Sequence, residues 1–100
     1  MIEVTRTVDG DPLQFDVAVT DGRGTSRHTV VMRLVTYERL AGGKHSAERC
    51  VDAAFRFLLD REPKEAILGQ FDAAQISDYF PEFETRLPDY LAQTDSPEQP

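Results

Sequence analysis

The sequence predicts an α+β domain, a three-stranded antiparallel β-meander packed on one long helix and several short helices. Two observations carry that prediction. Residues 2–34 alternate apolar and polar side chains with period two, broken by turn-forming clusters at residues 9–12 and 21–22. Residues 47–83 instead repeat their apolar positions at helical spacing, and six of the nine aromatic side chains fall within residues 51–83.

In the first strand, residues 2–8, Ile2, Val4 and Val8 share one face opposite Glu3, Thr5 and Thr7, and Arg6 interrupts the apolar side. Asp9-Gly10-Asp11-Pro12 follows as a turn. The second strand sets Phe15, Val17 and Val19 against Asp16, Ala18 and Thr20, and Asp21-Gly22 supplies the backbone freedom of a tight hairpin. The third, residues 25–34, turns His28, Val30, Met32 and Leu34 inward and Arg27, Thr29, Val31 and Arg33 outward. Three strands with one apolar face need a cover.

The rest of the chain supplies the cover. Thr36 caps a short turn over residues 37–40, and Gly42-Gly43 terminates it ahead of Lys44. Ser46 is the expected N-cap of the main helix, residues 47–61, with Glu48 favourably placed at its positive end. The apolar residues of that helix, Cys50, Val51, Phe55, Phe57 and Leu58 among them, span more than half its circumference, which predicts contacts on two sides. Pro63 stops the helix and suits the first turn of the next, over residues 64–71, buried through Ile67, Leu68 and Phe71.

Asp72-Ala73-Ala74-Gln75 has the spacing of a capping box and opens a helix through Ile76, Tyr79 and Phe80, whose aromatics close the bottom of the core. Pro81 ends it, and the residues beyond form a strap or one more short helix. The domain therefore covers residues 1–91. Residues 92–100, polar and proline-bearing, read as a disordered acidic C-terminal tail.

One hundred residues suit a single domain. A single cysteine, Cys50, allows no internal disulfide. No apolar run reaches the roughly 18 residues of a membrane span, and the opening MIEVTRTV lacks the features of a secretory leader. A soluble, cytoplasmic protein with no membrane contact is the expectation. Net charge is −7, unevenly spread: residues 1–50 hold seven Lys/Arg and seven Asp/Glu, residues 51–100 four and eleven. Phosphate backbones are repelled by the second half, so an anionic partner would have to meet the first.

The stretch AAFRFLLDREPKEAIL…F…ISDYFPEF resembles the closing FLL-x-REP…YFPEF block of a group of short uncharacterised bacterial proteins with a hairpin-rich N-terminal part. The resemblance covers about the last two-thirds of the chain. It implies a bacterial origin and one compact α+β domain, and it brings no activity and no site residue with it.

The helix pair across Phe71-Asp72 has helix-turn-helix spacing, but the recognition helix would be DAAQISDYF, with two aspartates and no Lys or Arg. Only Gln75 suits base readout, so these are two core helices. Arg23, Arg27 and Arg33 on the hairpin tip and outer sheet face are candidates for contact with an anionic partner. That face lacks aromatics for base stacking, and Asp16 is placed to pair with Arg27.

His28, His45 and Cys50 are the soft metal ligands and do not converge, so no metal site is expected. Cys50 reads as a small buried hydrophobe. Asp9, Asp11 and Asp16 lack calcium-loop spacing. Asp60, Glu62 and Glu65 at a helix junction are explained by solvation and dipole complementarity. No nucleophile elbow, phosphate loop or dinucleotide fingerprint is present, so no catalytic residue and no cofactor is assigned.

In residues 78–84 aromatics alternate with acids around Pro81, a composition suited to an interface, and Phe83 and Tyr90 are the first choices for a dimer or partner contact. The function expected is that of a small non-catalytic protein–protein interaction or adaptor module, binding an unidentified protein or a second copy of itself. The alternative is a nucleic-acid-associated regulator using the basic outer sheet face.

Overall fold

A computed structural model describes residues 1–94 of the chain. The class is α+β. Strands β1 (Ile2–Val8), β2 (Leu13–Asp21) and β3 (Gly24–Met32) form the antiparallel meander. A fourth strand, β4 (Gln70–Asp72), joins the free side of β3 in parallel, giving the order β1-β2-β3-β4. Helices α1 (Leu34–Ala41), α2 (Ala47–Leu59), α3 (Ile76–Tyr79) and α4 (Phe83–Thr94) accompany it, with 3-10 turns at Lys64–Ala66 and Ala73–Gln75.

Register explains the core. Arg6, Phe15, Val30 and Phe71 lie abreast across the four strands, and Val4, Val17 and His28 form the row beside them. Because neighbours in register point to the same face, these rows make an inward surface, in which Phe15, Val17, Val30 and Met32 are fully buried. The broad apolar stripe of α2 is contacted on both sides as its width implied, by β1 and α1 and by α4. Ser46 caps α2 by accepting from the Arg49 N–H at 3.1 Å.

Arg6, the charge on the inward face, is accommodated by Glu48 in the first turn of α2. Two guanidinium–carboxylate hydrogen bonds of 2.8 Å join them, a bidentate geometry that fixes orientation as well as charge. The bond to Arg6 holds the Glu48 carboxyl below its usual range, against the opposing effect of burial.

Four expectations are corrected. The helix over residues 64–71 is instead a 3-10 turn followed by β4, because pairing there satisfies the outer groups of β3 (Thr29 N–H to Gly69 O, 2.8 Å) while Phe71 completes the buried row. The three-stranded meander is thus part of a four-stranded mixed sheet. The third strand stops at Met32, and α1 begins at Leu34, whose N–H donates to Asp11 Oδ1 at 3.0 Å. The strap or short helix beyond Pro81 is the 12-residue helix α4, which carries residues 92–94 that were assigned to the tail. The rest of that tail, residues 95–100, lies outside the described residues.

Candidate functional site

An open groove of about 390 Å³ lies beside the C-terminal end of α2. Its floor is Leu58 from α2, Ile67, Phe71 from β4 and Ile76 from α3, all buried. Leu68 and Tyr79 stand on its rim, 49% and 63% exposed. Local sequence builds each wall. Asp60 and the residues after it end α2, and Pro63 turns the chain into the short 3-10 segment. Asp72 then caps the next turn, accepting from the Ala74 N–H at 2.8 Å while Gln75 Oε1 accepts from the Asp72 N–H at 2.9 Å. That capping box was legible in the sequence, and it aims Ile76 inward beneath Tyr79.

Distant side chains clamp the groove's irregular backbone. Lys64, only 3% exposed, places its ammonium 3.0 Å from Asp21 Oδ1 at the β2–β3 hairpin and against the Glu65 carboxylate. Hydrogen bonds to Glu65 and then to Asp21 hold the Lys64 ammonium above the ordinary lysine range. His28, also buried, bridges Leu68 O through Nδ1 and Ser26 Oγ through Nε2, both at 2.8 Å. A carbonyl oxygen only accepts, so Nδ1 carries a proton and donates it to Leu68 O. The imidazole lies 5.3 Å from the Phe55 ring.

A second clamp ties α2 to α4. The Arg61 guanidinium sits 3.6 Å from the Phe57 ring centroid and donates to Glu82 at 3.0 Å and to Phe57 O at 3.2 Å. Tyr90 donates to Asp60 Oδ2 at 2.6 Å. Phe57 meets Phe80, Phe83 and Tyr90 edge to face, with centroids 5.1 to 5.8 Å apart, an arrangement that aromatic quadrupoles favour.

Charge around the groove is one-sided. Its lining holds a single carboxylate, Glu62, and no Lys or Arg, with Gln75 as the other strongly polar residue. All four cations after residue 50 are engaged: Arg56 with Asp52, Arg61 with Glu82, Lys64 with Asp21 and Glu65, and Arg86 with Asp89. Among the described residues, neither Glu62 nor Asp78, the neighbour of Tyr79, forms an ion pair.

The residues singled out in the sequence are not brought together. Arg27 is exposed on the outer sheet face, Arg23 lies in the hairpin and Arg33 at the N-cap of α1. At ~3.3 Å per strand residue, Arg27 is ~13 Å from Arg23 and ~20 Å from Arg33 along the chain. Arg27 and Glu3 flank Ala18 from opposite sides, and Asp16 faces Thr29, so the outer face mixes signs. The expected Arg27–Asp16 cross-strand pair is a diagonal one, and no ion pair joins them.

Phe83 was expected to meet a partner, but at 1% exposure it is core, packed on Phe57. Tyr90 is half-buried with its hydroxyl already bonded to Asp60. Among the residues lining the groove, Tyr79 and Leu68 face outward, although the helical spacing predicts both as buried. No sequence signal marks that inversion: the placement of Tyr79 depends on the break at Phe80, and that of Leu68 on the pairing of β4 with β3.

Burial pushes the Cys50 thiol up to about 12, leaving it inert as a nucleophile. Among the described residues no group of three His, Cys, Asp or Glu is placed to hold a metal, and no helix is long and apolar enough to cross a membrane. A second, polar depression near Met1 involves Arg56 and Asp60, which are already paired with Asp52 and Tyr90.

Comparison with protein-family models, with curated proteins and with solved structures gives no match.

Proposed function

We propose that this protein is a non-catalytic protein-interaction module whose groove between α2, β4 and α3 receives apolar side chains of a partner. The observation that carries the reading is the exposure of Leu68 and Tyr79 on the rim of an apolar trough. A buried floor with large apolar side chains left in water at its edge is the anatomy of an interface core rather than of a reaction centre. Small-molecule sites enclose most of their ligand and converge several polar groups; this trough is open, with Glu62 and Gln75 as its strongly polar lining.

Both sheet edges are blunted, which directs attention away from strand pairing with a second copy. The β1 edge is kinked by a register shift between Arg6 and Val8, and its Arg6 points inward. The β4 edge is three residues long, and its Asp72 N–H is already taken by Gln75. Such features are the usual devices against edge-to-edge association.

The test is site-resolved photocrosslinking in cells that produce the protein. A benzophenone amino acid at position 68 or 79 is expected to yield discrete adducts that Ile76→Glu removes, while the same probe at position 7, on the outer sheet, yields none. Equal adducts from all three positions, or adducts from position 7 alone, would overturn the reading.

A further inference from the structure

Resting on that reading, we infer that the segment the groove receives is cationic and amphipathic: a short peptide or helix with large apolar anchors and Lys or Arg beside them. The argument is charge complementarity. Glu62 lines the groove and Asp78 adjoins the rim residue Tyr79, and among the described residues neither has an ion-pair partner. Every Lys and Arg after residue 50 is already committed to a carboxylate of this chain. An incoming Lys or Arg therefore finds free carboxylates at the groove, whereas an incoming Asp or Glu finds no cation in its lining and only paired ones among residues 51–94. Opposed potentials of this kind steer encounter and set which partners are rejected.

The rival occupants fit less well. A second copy carries net charge −7 and would bring like charge to an acidic rim. The chain's own residues 95–100, Asp-Ser-Pro-Glu-Gln-Pro, offer no large apolar anchor and two further carboxylates. Basic amphipathic segments laying an apolar face into a groove are a recurrent recognition mode.

The experiment uses the full chain and three fluorescent peptides of about 15 residues, with identical Leu and Phe anchors at helical spacing and flanked by Lys, by Gln or by Glu. Anisotropy titrations are run at low and physiological salt, with sedimentation of the protein alone alongside. The Lys-flanked peptide is expected to bind at least about tenfold more tightly than the Glu-flanked one, and to weaken as salt rises. Leu68→Ala and Tyr79→Ala, both at exposed positions, should each cost about tenfold or more. Glu62→Gln should cost the Lys-flanked peptide about threefold and leave the Gln-flanked peptide unchanged.

Equal binding of all three peptides, lost in Leu68→Ala, would overturn the cationic inference and leave the groove reading standing. Binding indifferent to Leu68 and Tyr79, or no binding at all, would overturn both. Self-association of the protein that Leu68→Ala abolishes would give the groove to a second copy and overturn the inference.

Discussion

Residues 2–32 and residues 60–80 solve the same problem, covering apolar surface, by different means. The meander does it locally: three strands in register, two tight turns, every second side chain inward, and no large apolar residue outside except Val8 at the β1 bulge. The segment after α2 has no period of its own. It takes a 3-10 turn, a three-residue strand and two short helical turns, and its course is set by contacts with residues far away in sequence, Lys64 to Asp21 and His28 to Leu68. Regular elements bury their apolar side chains by geometry. A segment shaped by distant clamps can leave some outside, and here it leaves Leu68 and Tyr79 on a groove.

The sharpest way to break the comparison is to empty each region's central aromatic. Phe15, fully buried in the middle of the meander, should cost about 4 kcal/mol on replacement by alanine, measured by urea denaturation, with all probes moving together. Phe71, at the groove floor and slightly exposed, should cost about 3 kcal/mol. In that variant amide exchange should accelerate over residues 67–80 well before it does in β1–β3. Uniform acceleration across the chain would mean the two regions are one cooperative unit.

Next in size is the clamp itself. His28→Ala deletes the side-chain donor to the Leu68 carbonyl and the partner of Ser26. It should destabilise by about 2 kcal/mol, the usual cost of stranding a buried polar group. It should also loosen the rim, so that Leu68-dependent peptide binding falls more than Phe15-dependent structure does. His28→Phe keeps the packing against Phe55 without the hydrogen bonds and separates the two contributions. Unchanged exchange rates at residues 67–69 in both variants would remove the clamp from the account.

How legible the two regions were follows the same division. Alternation and the Asp-Gly turn placed the meander, and alternation alone put His28 on the inward face, where it lies. Ser46 and the Asp72/Gln75 box were readable because a cap depends on four consecutive residues. Residues 64–71 were not readable: Ile67, Leu68 and Phe71 fit a helical turn as well as they fit a bend into a strand, and only the free edge of β3 decides between them.

The aromatic cluster failed for a related reason. Phe80 is the point where α3 stops, with φ −132° and ψ 88°. That break turns Tyr79 outward and swings Phe83 under Phe57, exchanging the roles their composition suggested. Sequence therefore nominates Arg23, Arg27, Arg33, Phe83 and Tyr90 as contacts, and not Leu68 or Tyr79 on the rim of the groove.

Acid provides a smaller test that bears on both regions. Arg6 holds the Glu48 carboxyl below its usual range, and Lys64 does the same to Glu65. A carboxyl whose folded pKa is depressed contributes stability above its unfolded value, about 4.3 for glutamate, and that contribution is lost as pH falls through the folded value. Stability should hold from neutral pH to about 5 and decline below that as the clamps protonate. Glu48→Gln should flatten the acid limb by at most about 1 kcal/mol, since the pair is partly solvated, and Glu65→Gln should flatten it further. A limb unchanged in both variants would assign acid unfolding to other carboxylates.

The smallest expected effect separates an exposed residue that does nothing from one that works. Arg27 projects from the outer sheet face with no ion pair, and Arg27→Ala should change stability by less than about 0.5 kcal/mol. Leu68→Ala, at a half-exposed rim position, should be nearly as mild in denaturation. The two should part only in binding: the Lys-flanked peptide is indifferent to Arg27 and depends on Leu68. A mobility shift with single-stranded RNA at low salt gives the converse, because Arg27 would have to act with Arg23 and Arg33, which lie far apart on a surface also bearing Glu3 and Asp16. No retarded species is expected. Should one form and vanish in Arg27→Ala, the working surface would be the regular region of the molecule, and the irregular one would be only its lid.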